Sequence, residues 1–327
     1  MSNYIAKGFT ILTGGAGFIG SNILKMLNDS GLDDVVIVDN IASTDKWKNL
    51  VGKKYAEYIH KNEFLQKPQP KDISHIIHIG ACSSTTEKDF DYLYKNNFEY
   101  TKKLWQFCAE KEINFIYASS AATYGNGENG FSDTCDLNTL QPLNGYGYSK
   151  HIFDLWAEKQ TKKPKQYVGL KFFNVYGPNE YHKGTMASVI YHGYKQIKET
   201  GKMKLFKSHN PKYADGGQLR DFVYVKDVCN VVKFFIENPD KNGLFNVGTG
   251  KAESFETLGL SIFKALDIPA NIEYIDMPEH LRAKYQYFTE ANIDKLRGIG
   301  YNEPFHSLED GTADYVVNYL SNNLPFL

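Results

Sequence analysis

The chain has 327 residues, 42% of them hydrophobic and 14% aromatic, with a formal net charge of −1. That balance excludes binding of nucleic acid or an anionic membrane surface through bulk charge, and no run approaches the ~18 apolar residues of a transmembrane helix. Four widely spaced cysteines with no CxxC pair predict reduced thiols in a cytoplasmic protein, and the length allows two domains or one large one. The polar start, Met1 to Lys7, resembles no signal peptide.

Phe9 to Leu12 reads as a first strand. Gly14, Gly17 and Gly20 follow at three-residue spacing, and a helical pattern opens at once with Ile19, Ile23, Leu24 and Leu27 on one face. Gly14 lets the chain turn off the strand, Gly17 lets the backbone approach a pyrophosphate, and Gly20 lets the helix pack close to the sheet. The pyrophosphate would meet free N–H groups at the positive end of the helix. A second strand, Val35 to Val38, ends in Asp39, at about the spacing expected of a ribose-binding carboxylate. A glycine triplet alone is a common turn. The strand before it, the helix after it and the acid beyond make it a dinucleotide fingerprint.

A polar loop, Ala42 to Lys48, comes next, then a weak strand at Tyr55 to Ile59. Ile73 to Ile79 is a strong apolar strand that runs into Gly80-Ala81-Cys82-Ser83. His75 and His78 would face opposite sides of it, which argues against a metal site. A helix over Asp89 to Lys111 carries Tyr92, Asn96, Leu104 and Phe107 at helical spacing. Phe115 to Ala118 is a buried strand ending in Ser119-Ser120. A helix from Tyr148 to Gln160 and a strand from Tyr167 to Phe173 complete the alternation. Strands alternating with helices predict an α/β, Rossmann-type doubly wound parallel sheet, with ligands beyond the carboxyl ends of its strands. Gly14, Asp39, Gly80 and Ser120 all fall at such ends.

The second half is less regular. A loop with Lys and His follows Gly177-Pro178, and Thr185 to Glu199 reads as a helix. Ser208 to Gly217 reads as a surface loop. Phe222 to Val225 and Leu244 to Val247 read as strands returning to the first sheet, with a helix between them at Asp227 to Phe235. This predicts a dinucleotide-binding domain of residues 1–172 plus 222–248. Residues 173–221 plus 249–327 would form a smaller α/β substrate domain over the crevice.

Tyr146 and Lys150 stand four apart at a helix start, so both reach the same side. A tyrosine of ordinary pKa near ~10 is a poor base at neutral pH, and a neighbouring ammonium favours its phenolate. Ser120 would hold a substrate hydroxyl in line. Tyr-x-x-x-Lys is a frequent chance pattern on helices; beside the glycine turn and the Ser-Ser strand end it reads as catalytic.

Thr13-Gly-Gly-Ala-Gly-Phe-Ile-Gly20, Ser119-Ser120-Ala-Ala-Thr-Tyr124-Gly125, Tyr146-x-x-x-Lys150 and Phe173-Asn174-Val-Tyr176-Gly-Pro178 resemble the extended short-chain dehydrogenase/reductase family of nucleotide-sugar enzymes. Gly80-Ala-Cys-Ser-Ser-Thr-Thr-Glu87, His182-Lys183-Gly-Thr-Met-Ala-Ser-Val189 and Arg220-Asp-Phe-Val-Tyr-Val225 narrow it to an epimerase branch. The resemblance runs from about Phe9 to Tyr315, with a longer loop between Phe206 and Arg220. It implies an isomerase acting on a small ADP-heptose through transient oxidation by tightly bound NADP, and a homo-oligomer, a homopentamer. It makes Tyr146 and Lys183 the acid/base residues, with Lys150 orienting the tyrosine and the cofactor ribose. Phe18, Ile19, Asp39, Asn40, Lys46, Lys61, Ile79, Gly80, Ala81, Cys82, Ser83, Asn96 and Val175 would line the cofactor. Asn174, Lys183, Thr185, His192, Phe206, Lys207, Ser208, His209, Arg220 and Tyr285 would line the substrate. Arg220 suits a diphosphate because its planar fork binds oxygens in pairs. Isolated loop lysines are usually solvated charges, and position inside the motif reverses that for Lys183, less firmly for Lys46.

Two features pull the cofactor reading apart. Asp39 suits a ribose 2′-hydroxyl and favours NAD, whereas the resemblance implies NADP, with Lys46 and Lys61 supplying the compensating charge. Two rival functions are weaker. A dehydratase needs an acid where an Asp-Glu pair would precede Tyr124-Gly125, and Ala122-Thr123 stand there. A cofactor-sensing binding protein would typically have lost the tyrosine or the lysine, and both are present.

Overall fold

The computed structural model describes residues 8–282, 285–322 and 326–327; residues 1–7, with the polar start, lie outside them. The chain runs through β1 (Phe9–Thr13), α1 (Phe18–Asp29), β2 (Val35–Asp39), β3 (Glu57–His60), β4 (Ile73–His78), α2 (Phe90–Leu93), α3 (Tyr100–Lys111), β5 (Asn114–Ser120), α4 (Gly145–Glu158) and β6 (Gln166–Phe172). It continues through β7 (Asn174–Tyr176), α5 (Val189–Thr200), β8 (Met203–Phe206), β9 (Leu219–Arg220), β10 (Phe222–Tyr224), α6 (Val225–Glu237), β11 (Gly243–Val247), β12 (Glu253–Ser254), α7 (Phe255–Ala265) and β13 (Ile272–Ile275).

The seven-stranded sheet has the order β11-β6-β5-β4-β1-β2-β3, and every neighbouring pair is parallel. β2 and β5 are buried along their whole length because both faces of the sheet are covered. In β1, Leu12 packs into one core with Ile23 and Leu24 of α1 and Val228 and Val232 of α6. Ile11, one residue earlier, points into the opposite core with Leu104 and Trp105 of α3 and Phe153 of α4. Each such buried aliphatic side chain contributes on the order of 2 kcal/mol over its exposed state. The strand order reverses between β1 and β4, which opens a crevice at their carboxyl ends.

A third core holds the smaller lobe. Ile190 and Ile197 of α5, Met203 and Leu205 of β8, and Leu258 and Ile262 of α7 pack together, with β13 parallel to β8.

Several boundaries differ from the sequence reading for local reasons. Residues of the expected loop at 42–48 enter a 3-10 turn, Asp45–Leu50, capped by Thr44. α4 starts at Gly145, three residues early, because the Asn144 side chain accepts from Gly147 N–H at 2.8 Å. α5 begins only at Val189: Gly184 has φ +54°, and Ser188 is the cap, accepting from Tyr191 N–H. Thr185 therefore lies on the preceding 3-10 turn, Tyr181–Met186. β11 returns to the large sheet but β10 does not; among the described residues it pairs only with β7. Val223 enters the core beneath the large sheet, while Phe222 and Tyr224 enter the core of the smaller lobe, so β10 staples the two.

Candidate active site

A cavity of about 560 Å³ lies at the reversal point. Its floor is the turn after β1. Gly14 has φ +71°, and a Cβ there would stand 2.6 Å from Gly80 N. A Cβ on Gly20 would stand 2.1 Å from Gly14 O, so Gly20 brings the helix onto the glycine turn itself rather than onto the sheet. Gly17 is the N-cap of α1 and offers no capping side chain, and no acid stands in the first turn. The first amides of α1 are thus left for an anion.

Asp39 closes one end. Its Oδ2 accepts from Ala16 N–H at 2.9 Å, and its Oδ1 from Asn40 N–H and Lys46 Nζ, both at 2.7 Å. Lys46 also reaches Asn40 O at 2.7 Å. Lys61 bonds Asn96 Oδ1, and burial pulls its ammonium below the usual lysine range.

At the other end stand the chemical groups. Lys150 is buried, and its Nζ donates to Ala118 O at 2.8 Å. Burial lowers it to about 8, opposed by Asp154 and Cys82. Burial raises the Tyr146 hydroxyl, and hydrogen bonding with Ser120 draws it back down. Lys183 Nζ lies 5.2 Å from the centre of the Phe18 ring, and burial lowers it, opposed by Glu180. His182 is held down to about 4 by burial and by Lys46 and Lys183, so it is neutral at pH 7.

Tyr146, Lys150, Ser120 and Lys183 all line this cavity, as do Gly14, Gly17, Phe18, Ile19, Gly20, Asp39, Asn40, Lys46, Lys61, Ile79, Gly80, Ala81, Cys82, Ser83, Asn96 and Val175. Asn174, Thr185, His192, Phe206, Lys207, Ser208, His209, Arg220 and Tyr285 do not line it. Asn174, between the lining residues Phe173 and Val175, is exposed, as is Thr185. A separate cluster forms where β8 and β9 end. The Arg220 guanidinium stacks 5.4 Å from the Tyr285 ring and bonds the carbonyls of Leu219 and Gln286. His209 N–H reaches the Tyr287 hydroxyl at 3.1 Å, and the Tyr213 ring lies 5.2 Å from that of Tyr287. Burial pulls Arg220 below its usual range.

Sequence reasoning missed several residues. Thr13, Tyr92, Tyr100, Ser119 and His182 also line the cavity. Tyr92, Asn96 and Tyr100 stand four apart, a signal that was available. Asn97 gave no such signal. It sits in a π-turn, Tyr94–Glu99, between α2 and α3. Its Oδ1 accepts from Cys82 N–H at 2.8 Å, and its Nδ2 donates to Cys82 O and Ser149 Oγ, each at 2.9 Å. Ser149 in turn donates to Tyr146 O at 2.7 Å. One buried amide thereby sets the cavity wall against the helix that carries Tyr146. Among the described residues no group of three His, Cys, Asp or Glu could hold a metal ion, and no helix is long and apolar enough to cross a membrane.

A sheet reversed at a glycine turn, an acid at the end of β2 and a Tyr-Lys pair beside it define a nucleotide-dependent oxidoreductase-type site. The model of the NAD dependent epimerase/dehydratase family matches residues 10–248, and the chain belongs to that family. Within it the similarity is narrow. An ADP-L-glycero-D-manno-heptose-6-epimerase of Fusobacterium nucleatum is 52% identical over 97% of this chain and 99% of its own length. One of Nitratidesulfovibrio vulgaris is 52% identical over 97% and 99%. The crystal structure of the Helicobacter pylori ADP-L-glycero-D-manno-heptose-6-epimerase superposes with a TM-score of 0.82 at 29% identity, covering 97% of this chain and 98% of that one. The family dependence on a nicotinamide dinucleotide fits what the residues offer: a glycine turn, uncapped helix amides and a ribose-side carboxylate.

Proposed function

We propose that this chain inverts C6 of ADP-D-glycero-D-manno-heptose to give ADP-L-glycero-D-manno-heptose, using tightly bound NADP. The observation that carries the reading is the convergence of Tyr146, Lys150, Ser120 and Lys183 on one cavity above the glycine turn. When bound, the nicotinamide supplies a hydride acceptor that removes hydrogen from C6 and returns it to the opposite face. The protein's own part is proton transfer at the C6 oxygen. C6 lies outside the pyranose ring, so rotation about C5–C6 presents the other face and carries the oxygen across the site. One fixed base cannot stay within the roughly 2.6–3.2 Å that proton transfer needs at both positions. Tyr146 serves one epimer and Lys183 the other. Lys150 orients Tyr146, and Ser120 holds the hydroxyl in line.

The Arg220 cluster, with Phe206, Lys207, Ser208, His209 and Tyr285, is read as the nucleotide-diphosphate end of the substrate site, and Asn174, Thr185 and His192 as its sugar side. Residues 1–172 plus 222–248 then serve the cofactor and the remainder the substrate. Lys46 neutralises Asp39, and Lys61 adds a second cation nearby, which favours NADP. The same reading carries a cytoplasmic homo-oligomer that supplies heptose for the lipopolysaccharide inner core. The test is incubation of the purified protein with ADP-D-glycero-D-manno-heptose without added NADP, following C6 stereochemistry by NMR. Unchanged substrate at full cofactor occupancy sinks the proposal.

A further inference from the structure

Glu180 is a fully buried carboxylate to which the chemistry above gives no task. It stands in the loop that carries Lys183. Its Oε2 accepts from Ser188 N–H at 2.6 Å, and its Oε1 from the Ser188 hydroxyl at 2.6 Å and from Gly177 N–H at 3.5 Å. One side chain therefore ties both ends of the loop. Ser188 also caps α5, so the far end is fixed to a helix. Inside the loop, Lys183 N–H donates to Glu180 O at 3.0 Å. The near end is anchored as well: Asn22 Nδ2 donates to Pro178 O at 2.9 Å, and Asn49 Nδ2 to Asn179 O at 3.2 Å.

A neutral acceptor could close such a loop, and burying a charge is costly unless a cation compensates it. The cation acting on Glu180 is Lys183. The other titratable groups facing the pair are Tyr181 and His182 from the same loop and Tyr315 from the C-terminal helix Leu308–Tyr315. Lys46 faces His182 from the 45–50 turn. Burial holds both tyrosines in the phenol form and His182 neutral near pH 7. Burial raises the Glu180 carboxyl, and the Ser188 hydrogen bonds and Lys183 draw it back down; Glu180 in turn opposes the desolvation of Lys183.

We propose that Glu180 is a positioning residue for Lys183, fixing the loop that presents the amine and balancing its charge; this rests on the reading of Lys183 as an acid/base residue. Burial and the carboxylate pull the amine in opposite directions.

The test is competitive acetylation of the whole protein with acetic anhydride, reading the pH midpoint of Lys183 labelling by peptide mass spectrometry. In Glu180→Gln the midpoint should fall, because the variant removes the negative charge that opposes the burial of the amine. An unshifted midpoint in folded Glu180→Gln overturns the proposal. Glu180→Asp keeps the charge and shortens the clasp. It should hold the midpoint near the wild-type value while epimerisation slows tenfold or more, and full activity would overturn the positioning role even if the Gln variant does not fold. Lys183→Met separates the two readings. Normal epimerisation by that variant removes the base assignment itself, whereas an inactive Lys183→Met beside an unshifted Glu180→Gln removes only the role of Glu180.

Discussion

Lys46 Nζ lies 2.7 Å from Asp39 Oδ1, and both side chains are largely buried. The acid is therefore already paired at the point where, on the proposed reading, a ribose 2′ substituent arrives. Asp39→Ala should weaken NAD binding more than NADP binding, since it removes a hydrogen-bond acceptor from one and a repulsion from the other. Lys46→Ala should weaken NADP by roughly tenfold to a hundredfold and NAD much less, because it removes a charge-assisted contact and leaves the Asp39 charge held only by the amides of Ala16 and Asn40. Calorimetric titration of both cofactors checks this. Equal effects on the two would show that neither residue reads the 2′ position.

Tyr146→Phe should retain the fold and cofactor and lose about 10² to 10⁴ in turnover. Lys183→Met should abolish net epimerisation too. Each variant should still let one epimer, a different one in each case, exchange hydride in a single half-reaction. Failure of both on the same epimer rules out two bases.

Lys150 carries a pH signature. Its folded value, about 8, lies below the 10.5 of an ordinary lysine. Between those values the unfolded chain binds more protons, so this group makes stability rise with pH. Its contribution is complete above pH 10.5 and is lost as pH falls toward 8. Lys150→Met lacks it. Relative to that variant, the wild-type protein should gain on the order of 3 kcal/mol between pH 7 and 10.5. Urea unfolding at both pH values measures it, and parallel curves would show that Lys150 is not held down.

Beneath the active site Lys171 and Asp154 form a fully buried pair at 2.7 Å. Ser119 Oγ donates to Asp154 at 2.6 Å, and Lys171 donates to Thr123 Oγ1 at 2.8 Å. Lys171→Met strands a buried carboxylate and should cost about 3–5 kcal/mol. Lys171→Met with Asp154→Leu should recover much of that loss. A double variant no more stable than Lys171→Met alone would contradict the coupling.

The parts of this site that could be read without coordinates are local. Gly14, Gly17 and Gly20 obey a turn, a helix start and a close approach within one short stretch. Tyr146 and Lys150 are one helical turn apart. What could not be read depends on partners far along the chain. Phe222 to Tyr224 is an apolar run, and nothing in it says that alternate residues serve two different cores. Lys46 meets Asp39 because a 3-10 turn folds it back. Asn97 looks like any polar helix residue until Cys82 and Ser149 are beside it. Arg220 was expected along the substrate as a diphosphate ligand, and nothing local to it says that it stacks on Tyr285 in a cluster apart from the cavity of Tyr146 and Lys150.

One of the two edge strands of the large sheet, β11, is also the last of its strands to be synthesised. As the chain leaves the ribosome, β6 already carries β5 on one side, while its other edge stays bare through the making of α5, β8 and α6. Unpaired strand edges invite pairing with other chains. A nascent chain that ends before Gly243 therefore leaves the β6 edge open until residues up to Val247 arrive to cover it.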